Sequence, residues 1–204
     1  MQNLVKHSTI VFFILTSGVP AIAQNPDVRI FRAINNHHTP FSDHFFQFQS
    51  NTVKPLVVAA PLGLLATGLI RKDPAMRDNS VLIISALALN FVFTYTAKPA
   101  FNRTRPYKAL SNVHTVGSTE RSASFPSGHT SAAFALATSA SLAYPKWYVV
   151  VPSMLWAGTV GYSRMAMGMH YPTDVLVGAM LGAGCALLIH HFRKPILRQT
   201  HRLF

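Results

Sequence analysis

A chain of 204 residues can hold one domain with a sizeable core, but not comfortably two. Half of its residues are hydrophobic, only 12% are charged and the mean hydropathy is +0.26. Ordinary soluble domains carry about 25% charged residues, so the composition points to lipid. A net charge of +12 would suit nucleic acid, but a nucleic-acid binder gathers its charge on one hydrophilic surface. Here the charges fall between long apolar runs, which argues against that partner.

At the start of the chain, Lys6 and His7 precede an apolar run from Ile10 to Leu15, and Ala21-Ile22-Ala23 offers the small-x-small pattern of a cleavage site. Residues 1–23 are therefore expected to be a secretory signal peptide, with an uncleaved first membrane span as the competing reading. Either way residues 24–204 form the membrane-embedded domain, and residue 24 lies outside the cytoplasm. The polar stretch from Asp27 to Ser50 carries Phe31, Phe41, Phe45, Phe46 and Phe48. Aromatic rings favour the membrane–water boundary, so one or two short interfacial helices are predicted there. His37, His38, Asp43 and His44 are potential metal ligands, but their spacing matches no established ligand pattern.

Five apolar runs follow: Leu56–Ile70, Val81–Ala97, Thr130–Tyr144, Trp147–Tyr162 and Val175–Ile189. None contains a charged residue, whereas a soluble helix usually shows a polar stripe. Each is short against the roughly 20 residues that fill a bilayer core. Small residues crowd them, as in Gly178-x-x-x-Gly182, and in lipid such residues let helices approach closely. The predicted fold is all-α, a transmembrane bundle of five spans plus the N-terminal run. Alternating the spans puts nine Lys and Arg inside and nine outside, so a bare count gives no orientation. Six of the outer nine (Lys98, Arg103, Arg105, Lys108, Arg121 and Arg164) lie in the two loops that also carry the polar motifs. Set aside as functional, they leave nine inside against Arg29, Arg32 and Lys54, which supports this topology. The signal-like start makes a bacterial inner membrane, with a periplasmic active face, the expected location.

Three clusters sit at span ends that this topology brings to one outer face: Lys98-x6-Arg105-Pro106, Pro126-Ser127-Gly128-His129 and Ser163-Arg164-x5-His170-x3-Asp174. Singly, each residue has an ordinary reading: a lysine or arginine reaching out of a helix end, an interfacial histidine, an aspartate at a helix start. Together they suggest phosphate. Lys98, Arg105 and Arg164 are three converging cations that repel one another unless an anion joins them, and the arginine fork suits phosphate oxygens. Ser127 and Gly128 begin a predicted helix, where backbone N–H groups attract anions. Pro172 fits the first turn of the last helix, which puts Asp174 within reach of His170. A small transporter of an anionic solute or lipid is the rival from another class. Transporters hold their ionisable groups near the bilayer midplane, however, and these lie at span ends.

The combination resembles the type 2 phosphatidic acid phosphatase superfamily, whose three-part signature reads Lys-x6-Arg-Pro, Pro-Ser-Gly-His and Ser-Arg-x5-His-x3-Asp. All eleven signature positions match in order. At a typical residue frequency of about 5%, eleven chance matches are of order 10⁻¹⁴. The resemblance implies a helical-bundle phosphatase with an outward-facing site; a soluble acid phosphatase or a vanadate-dependent haloperoxidase would share the motifs. It further implies that His170 attacks phosphorus to form a phosphohistidine, oriented by Asp174, while His129 protonates the leaving oxygen and then activates water. Lys98, Arg105, Ser127, Gly128 and Arg164 would hold the phosphoryl oxygens, so that neither metal nor cofactor is needed. The expected partners are the bilayer and a lipid phosphate: phosphatidic acid, phosphatidylglycerol phosphate, undecaprenyl pyrophosphate or a lipid A phosphate. The loop from Lys108 to Phe125, with His114, Glu120 and Arg121, is expected to border the entrance and influence substrate choice, and no pattern fixes an oligomeric state.

Overall fold

Each predicted apolar run folds as a helix in the computed structural model, which describes residues 24–200; the signal-peptide expectation for residues 1–23 lies outside them. In chain order the helices are α1 (Gln24–Asn35), α2 (Pro40–Ile70), α3 (Pro74–Phe101), α4 (Pro106–Ala109), α5 (Gly128–Ala143), α6 (Trp147–Ala166), α7 (Pro172–His191) and α8 (Arg193–Thr200), and no strand occurs among the described residues. Proline opens α2, α3, α4 and α7 at the position where its missing N–H costs nothing. The Asp73 carboxylate caps α3 by accepting from the Ala75 and Met76 amides at 2.9 and 3.2 Å. Asn102 ends α3 in the left-handed conformation at φ 39°.

The stretch from Asp27 to Ser50 departs from expectation. Helix α1 is one short helix, but the second does not stand alone: α2 runs on without a break through Pro55 and Pro61 to Ile70. Proline inside a helix bends it when neighbours hold both sides. Here α6 does so, through Trp156 Nε1 donating to Thr52 Oγ1 at 2.9 Å and through the buried Val53 beside it.

Among the described residues, three stretches are long and apolar enough to cross a membrane: α2, Pro74–Ala109 and α7. Helix α5, with 16 residues, spans about 24 Å at 1.5 Å per residue, less than a hydrocarbon core of about 30 Å. It lies at the centre, packed on α2, α3, α6 and α7. The outer helices turn Leu62, Phe91, Val92, Leu155, Leu176 and Met180 outward, all more than half exposed. An apolar belt of this kind needs lipid around it.

The closest packing joins α5 to α7, the helix that carries Gly178-x-x-x-Gly182. A Cβ on Gly182 would stand 2.0 Å from the Ser131 carbonyl oxygen, and one on Gly178 would stand 2.8 Å from that of Ser127. Inside the bundle Ser131 Oγ donates to Asn90 Oδ1 at 2.5 Å and pairs with Thr94 Oγ1 at 2.9 Å, so these three buried side chains of α3 and α5 satisfy one another.

Candidate active site

The three motif clusters converge at the end of the bundle where α3 finishes and α5 and α7 begin. Lys98, in the last turn of α3, donates to the carbonyls of Ala123 at 2.7 Å and Pro126 at 3.3 Å. Arg105 is almost fully buried: Nε donates to the Ser122 carbonyl at 2.8 Å, and Nη1 lies 3.1 Å from His170 Nε2. Arg164, equally buried near the end of α6, donates from Nη1 to Ser50 Oγ at 2.6 Å. Its Nε is buried with no hydrogen-bond partner among the described residues.

Local sequence explains why His170 faces this cluster. Two residues past the end of α6 stands Gly168, whose φ of 76° is open to glycine; a Cβ there would lie 2.5 Å from the His114 carbonyl oxygen. The amides of Met169 and His170 then return to the Arg164 carbonyl at 3.0 and 3.1 Å. This turn presents a fully buried imidazole to Arg105. Arginine has no acceptor, so Nε2 accepts its hydrogen bond and the neutral ring carries its proton on Nδ1. Burial pushes His170 down to about 4, against the pull of Asp174 and with help from Arg105 and Arg164.

The path from His170 to Asp174 is longer than a single hydrogen bond. Nδ1 lies 3.7 Å from Asp174 Oδ2 and 3.4 Å from Ser124 Oγ, which itself donates to Asp174. Asp174, in the first turn of α7, also accepts from the Tyr171 amide at 2.9 Å and from Arg103 Nη1 at 2.7 Å. Arg103 reaches on to Asp27 at 2.6 Å, and its guanidinium covers the Tyr171 ring at 4.1 Å. Asp27 in turn accepts from Thr173 through N at 2.9 Å and Oγ1 at 2.6 Å. Helix α1 is thereby pinned to the start of α7.

Ser127 is the residue preceding α5; its Oγ pairs with Thr130 Oγ1 at 2.8 Å and its amide donates to the Asp174 carbonyl at 3.0 Å. Gly128 opens the helix, and His129 in its first turn points Nδ1 at Glu120 Oε1, 3.5 Å away. The structure thus brings the eight motif residues to one end of the bundle, with the Ser127 hydroxyl and amide bonded to Thr130 and Asp174.

Sequence reasoning missed three further members. Arg103 stood among the outer cations and Ser124 two residues before Pro126, both without a role; Glu120 was read as bordering the entrance and influencing substrate choice, without a partner. Its carboxylate lies on the arginines, with Oε2 2.7 Å from Arg105 Nη2 and Oε1 2.6 Å from Arg164 Nη2. Burial alone would raise this carboxyl, but the Arg164 and Arg105 charges hold it well below the usual carboxylate range. The other two loop residues lie apart: Arg121 is exposed, and His114 turns away to Asp43 at 2.9 Å. Of the potential metal ligands near the N-terminus, His38 and Asp43 meet His114, with one ligand atom from each within 4.8 Å of the others. His37 instead bonds the Ala33 carbonyl at 2.6 Å.

Comparison with known proteins gives a consistent set. The pattern of the PAP2 superfamily matches residues 79–198. An undecaprenyl-diphosphatase, BcrC of Bacillus subtilis, is 30% identical over 180 residues, 86% of this chain and 90% of its own length. A lipid A 4'-phosphatase of Bacteroides thetaiotaomicron is 26% identical over 167 residues, 76% of this chain and 72% of its own. Among solved structures, LpxE of Aquifex aeolicus superposes with a TM-score of 0.70 at 32% identity, covering 81% of this chain and 94% of that one. A PAP2-type phosphatidylglycerolphosphate phosphatase of Bacillus subtilis gives 0.72 at 25% identity, covering 92% and 94%.

Proposed function

Since the chain belongs to the PAP2 superfamily, we propose that it is an integral membrane phosphatase that removes phosphate from a lipid phosphomonoester or diphosphate through a phosphohistidine, without a metal. The observation that carries this reading is the contact of a buried, neutral His170 with Arg105 at Nε2, beside a second buried arginine. A nucleophile and the cations that would hold its target's oxygens occupy one small space.

In the first step Nε2 attacks phosphorus as the bond to the leaving oxygen breaks, and His129 gives that oxygen a proton. The positive charge left on the His170 ring is stabilised through Ser124 by Asp174, which Arg103 and the Tyr171 amide hold in place. Lys98, Arg105 and Arg164 bear on the phosphoryl oxygens, helped by the start of α5 at Ser127 and Gly128. In the second step His129 takes a proton from water, whose oxygen attacks phosphorus and releases orthophosphate and neutral His170.

The relatives that match over most of their length are named for undecaprenyl diphosphate and lipid A, and a site at the end of an apolar bundle suits such substrates. A bacterial inner membrane with the site facing the periplasm agrees with the distribution of basic residues. The test is phosphate release by the detergent-purified protein from undecaprenyl diphosphate, lipid A, phosphatidylglycerol phosphate and phosphatidic acid, with EDTA present. Wild type is expected to cleave at least one of them, and His170→Ala to lose at least about a thousandfold. Activity that EDTA abolishes, or that survives in His170→Ala, overturns the mechanism.

A further inference from the structure

The carboxylate of Glu120 occupies the place of a phosphate. Its two oxygens span two guanidiniums, at 2.7 Å from Arg105 and 2.6 Å from Arg164, and one of them lies 3.5 Å from His129 Nδ1. The two guanidiniums are cations that would receive the substrate's phosphoryl oxygens, and the histidine is the group that would protonate its leaving oxygen. The arginine side chains are 1% and 4% exposed, whereas Glu120 is 30% exposed, so the carboxylate forms the solvent-facing side of the cluster. An anion arriving from outside meets it first. Glu120 also lies on the irregular segment between α4 and α5, so its side chain can leave without unwinding a helix. Its backbone stays anchored, because Tyr107 Oη donates to the Glu120 carbonyl at 2.6 Å. The buried Nε of Arg164 has no hydrogen-bond partner among the described residues, so this guanidinium is not saturated by Glu120.

We propose that Glu120 is an internal stand-in for the substrate's phosphate, a specificity-determining residue that holds the arginines together in the empty site and must be displaced by any anion that binds. The idea rests on the phosphatase reading and adds a selection rule to it. Two buried guanidiniums with no counter-charge would repel each other and distort the cradle. With Glu120 in place the cradle is kept assembled, and a ligand has to compete with a bidentate carboxylate. A monoester dianion or a diphosphate can do so; a singly charged phosphodiester gains nothing over the carboxylate it replaces. The same competition expels orthophosphate after the second step and limits product inhibition.

The test compares wild type with Glu120→Gln as full-length protein in detergent, using inorganic orthophosphate as the probe. Direct titration should give binding about tenfold tighter in Glu120→Gln, because the competing charge-assisted bonds are gone. Thermal unfolding should start lower in Glu120→Gln without phosphate and return towards wild type when phosphate is added. In turnover the variant should lower KM and, with product leaving more slowly, lower kcat as well. Glu120→Asp keeps the charge but is one methylene short of spanning both arginines, so its phosphate affinity should fall between the two; it also serves if Glu120→Gln does not fold. Phosphate affinity unchanged or weaker in either variant overturns the proposal. Titration needs no turnover, so the two readings fail separately. A wild type that binds phosphate but cleaves no lipid defeats the phosphatase reading, and an active wild type whose variants bind phosphate no tighter defeats only the role of Glu120.

Discussion

His170 and Glu120 leave a thermodynamic trace that can be read without substrate. His170 is held down to about 4 in the fold against an ordinary value of 6.5, so between those values the unfolded chain binds a proton that the folded one refuses. Stability is therefore full above pH 6.5 and falls as pH drops towards 4, by up to about 3 kcal/mol from this group. Glu120 is lowered as well, so its contribution is present above its ordinary value of 4.5 and is lost only at lower pH. The detergent-solubilised protein should show an unfolding midpoint that falls from pH 7 to pH 4, and His170→Asn should lessen that fall, leaving the share of His129, which burial also lowers. An equally steep decline in the variant would assign the acid sensitivity elsewhere. Lys98, Arg105, Arg164, His129, His170 and Asp174 were singled out in the sequence because they cluster at span ends in three motifs that resemble the family signature. Arg103, Ser124 and Glu120 were not, since a lone arginine, serine or glutamate in a loop has no pattern until the fold shows what it touches. Asp27 is the extreme case: it bonds Thr173 from 146 residues away.

Among the elements, the pairing of α5 with α7 sets the spacing of the site, because one contact fixes the turn that carries Ser127 and His129 against the helix that carries Asp174. Gly182→Ala puts a Cβ 2.0 Å from a backbone oxygen that cannot move without shifting α5. It should cost about 1–3 kcal/mol or more, read as a lower unfolding midpoint in detergent. Gly184→Ala is the matched control: a Cβ there meets nothing within 4 Å, so this variant should be neutral or slightly stabilising. If the two behave alike, the α5–α7 contact is looser than described. The starts of α5 and α7 were legible because Ser127-Gly128 and Pro172 mark them locally, whereas the apolar runs from Leu56 and Val81 begin inside α2 and α3. The continuity of α2 was not legible, because Pro55 and the polar residues before it look like a boundary in isolation. It is α6, a hundred residues later, that carries the helix through.

For the whole molecule, apolar runs and chain order were enough to bring three distant motifs to one face. The number of crossings was not, since α5 is both short and central. Orientation is open to a direct check. In a Cys185→Ala background, Lys146→Cys should react with a membrane-impermeant maleimide only after the cells are broken, and Arg121→Cys in intact spheroplasts; the reverse pattern would invert the topology.

The length of α2 bears on which substrates can be reached. Ser50, the partner of Arg164, lies 20 residues before the end of α2 at Ile70, or about 30 Å along the helix axis. That is about the thickness of a hydrocarbon core. With Ile70 at one boundary of the hydrocarbon, the arginine cradle stands at the other, level with the first polar atoms of a lipid. Phosphate bonded directly to a buried chain or glycerol arrives at that depth unaided. The same phosphate on a long sugar stalk would ride above the cradle, and the distance from Ser50 to Ile70 would work as a gauge that admits headgroups by their height.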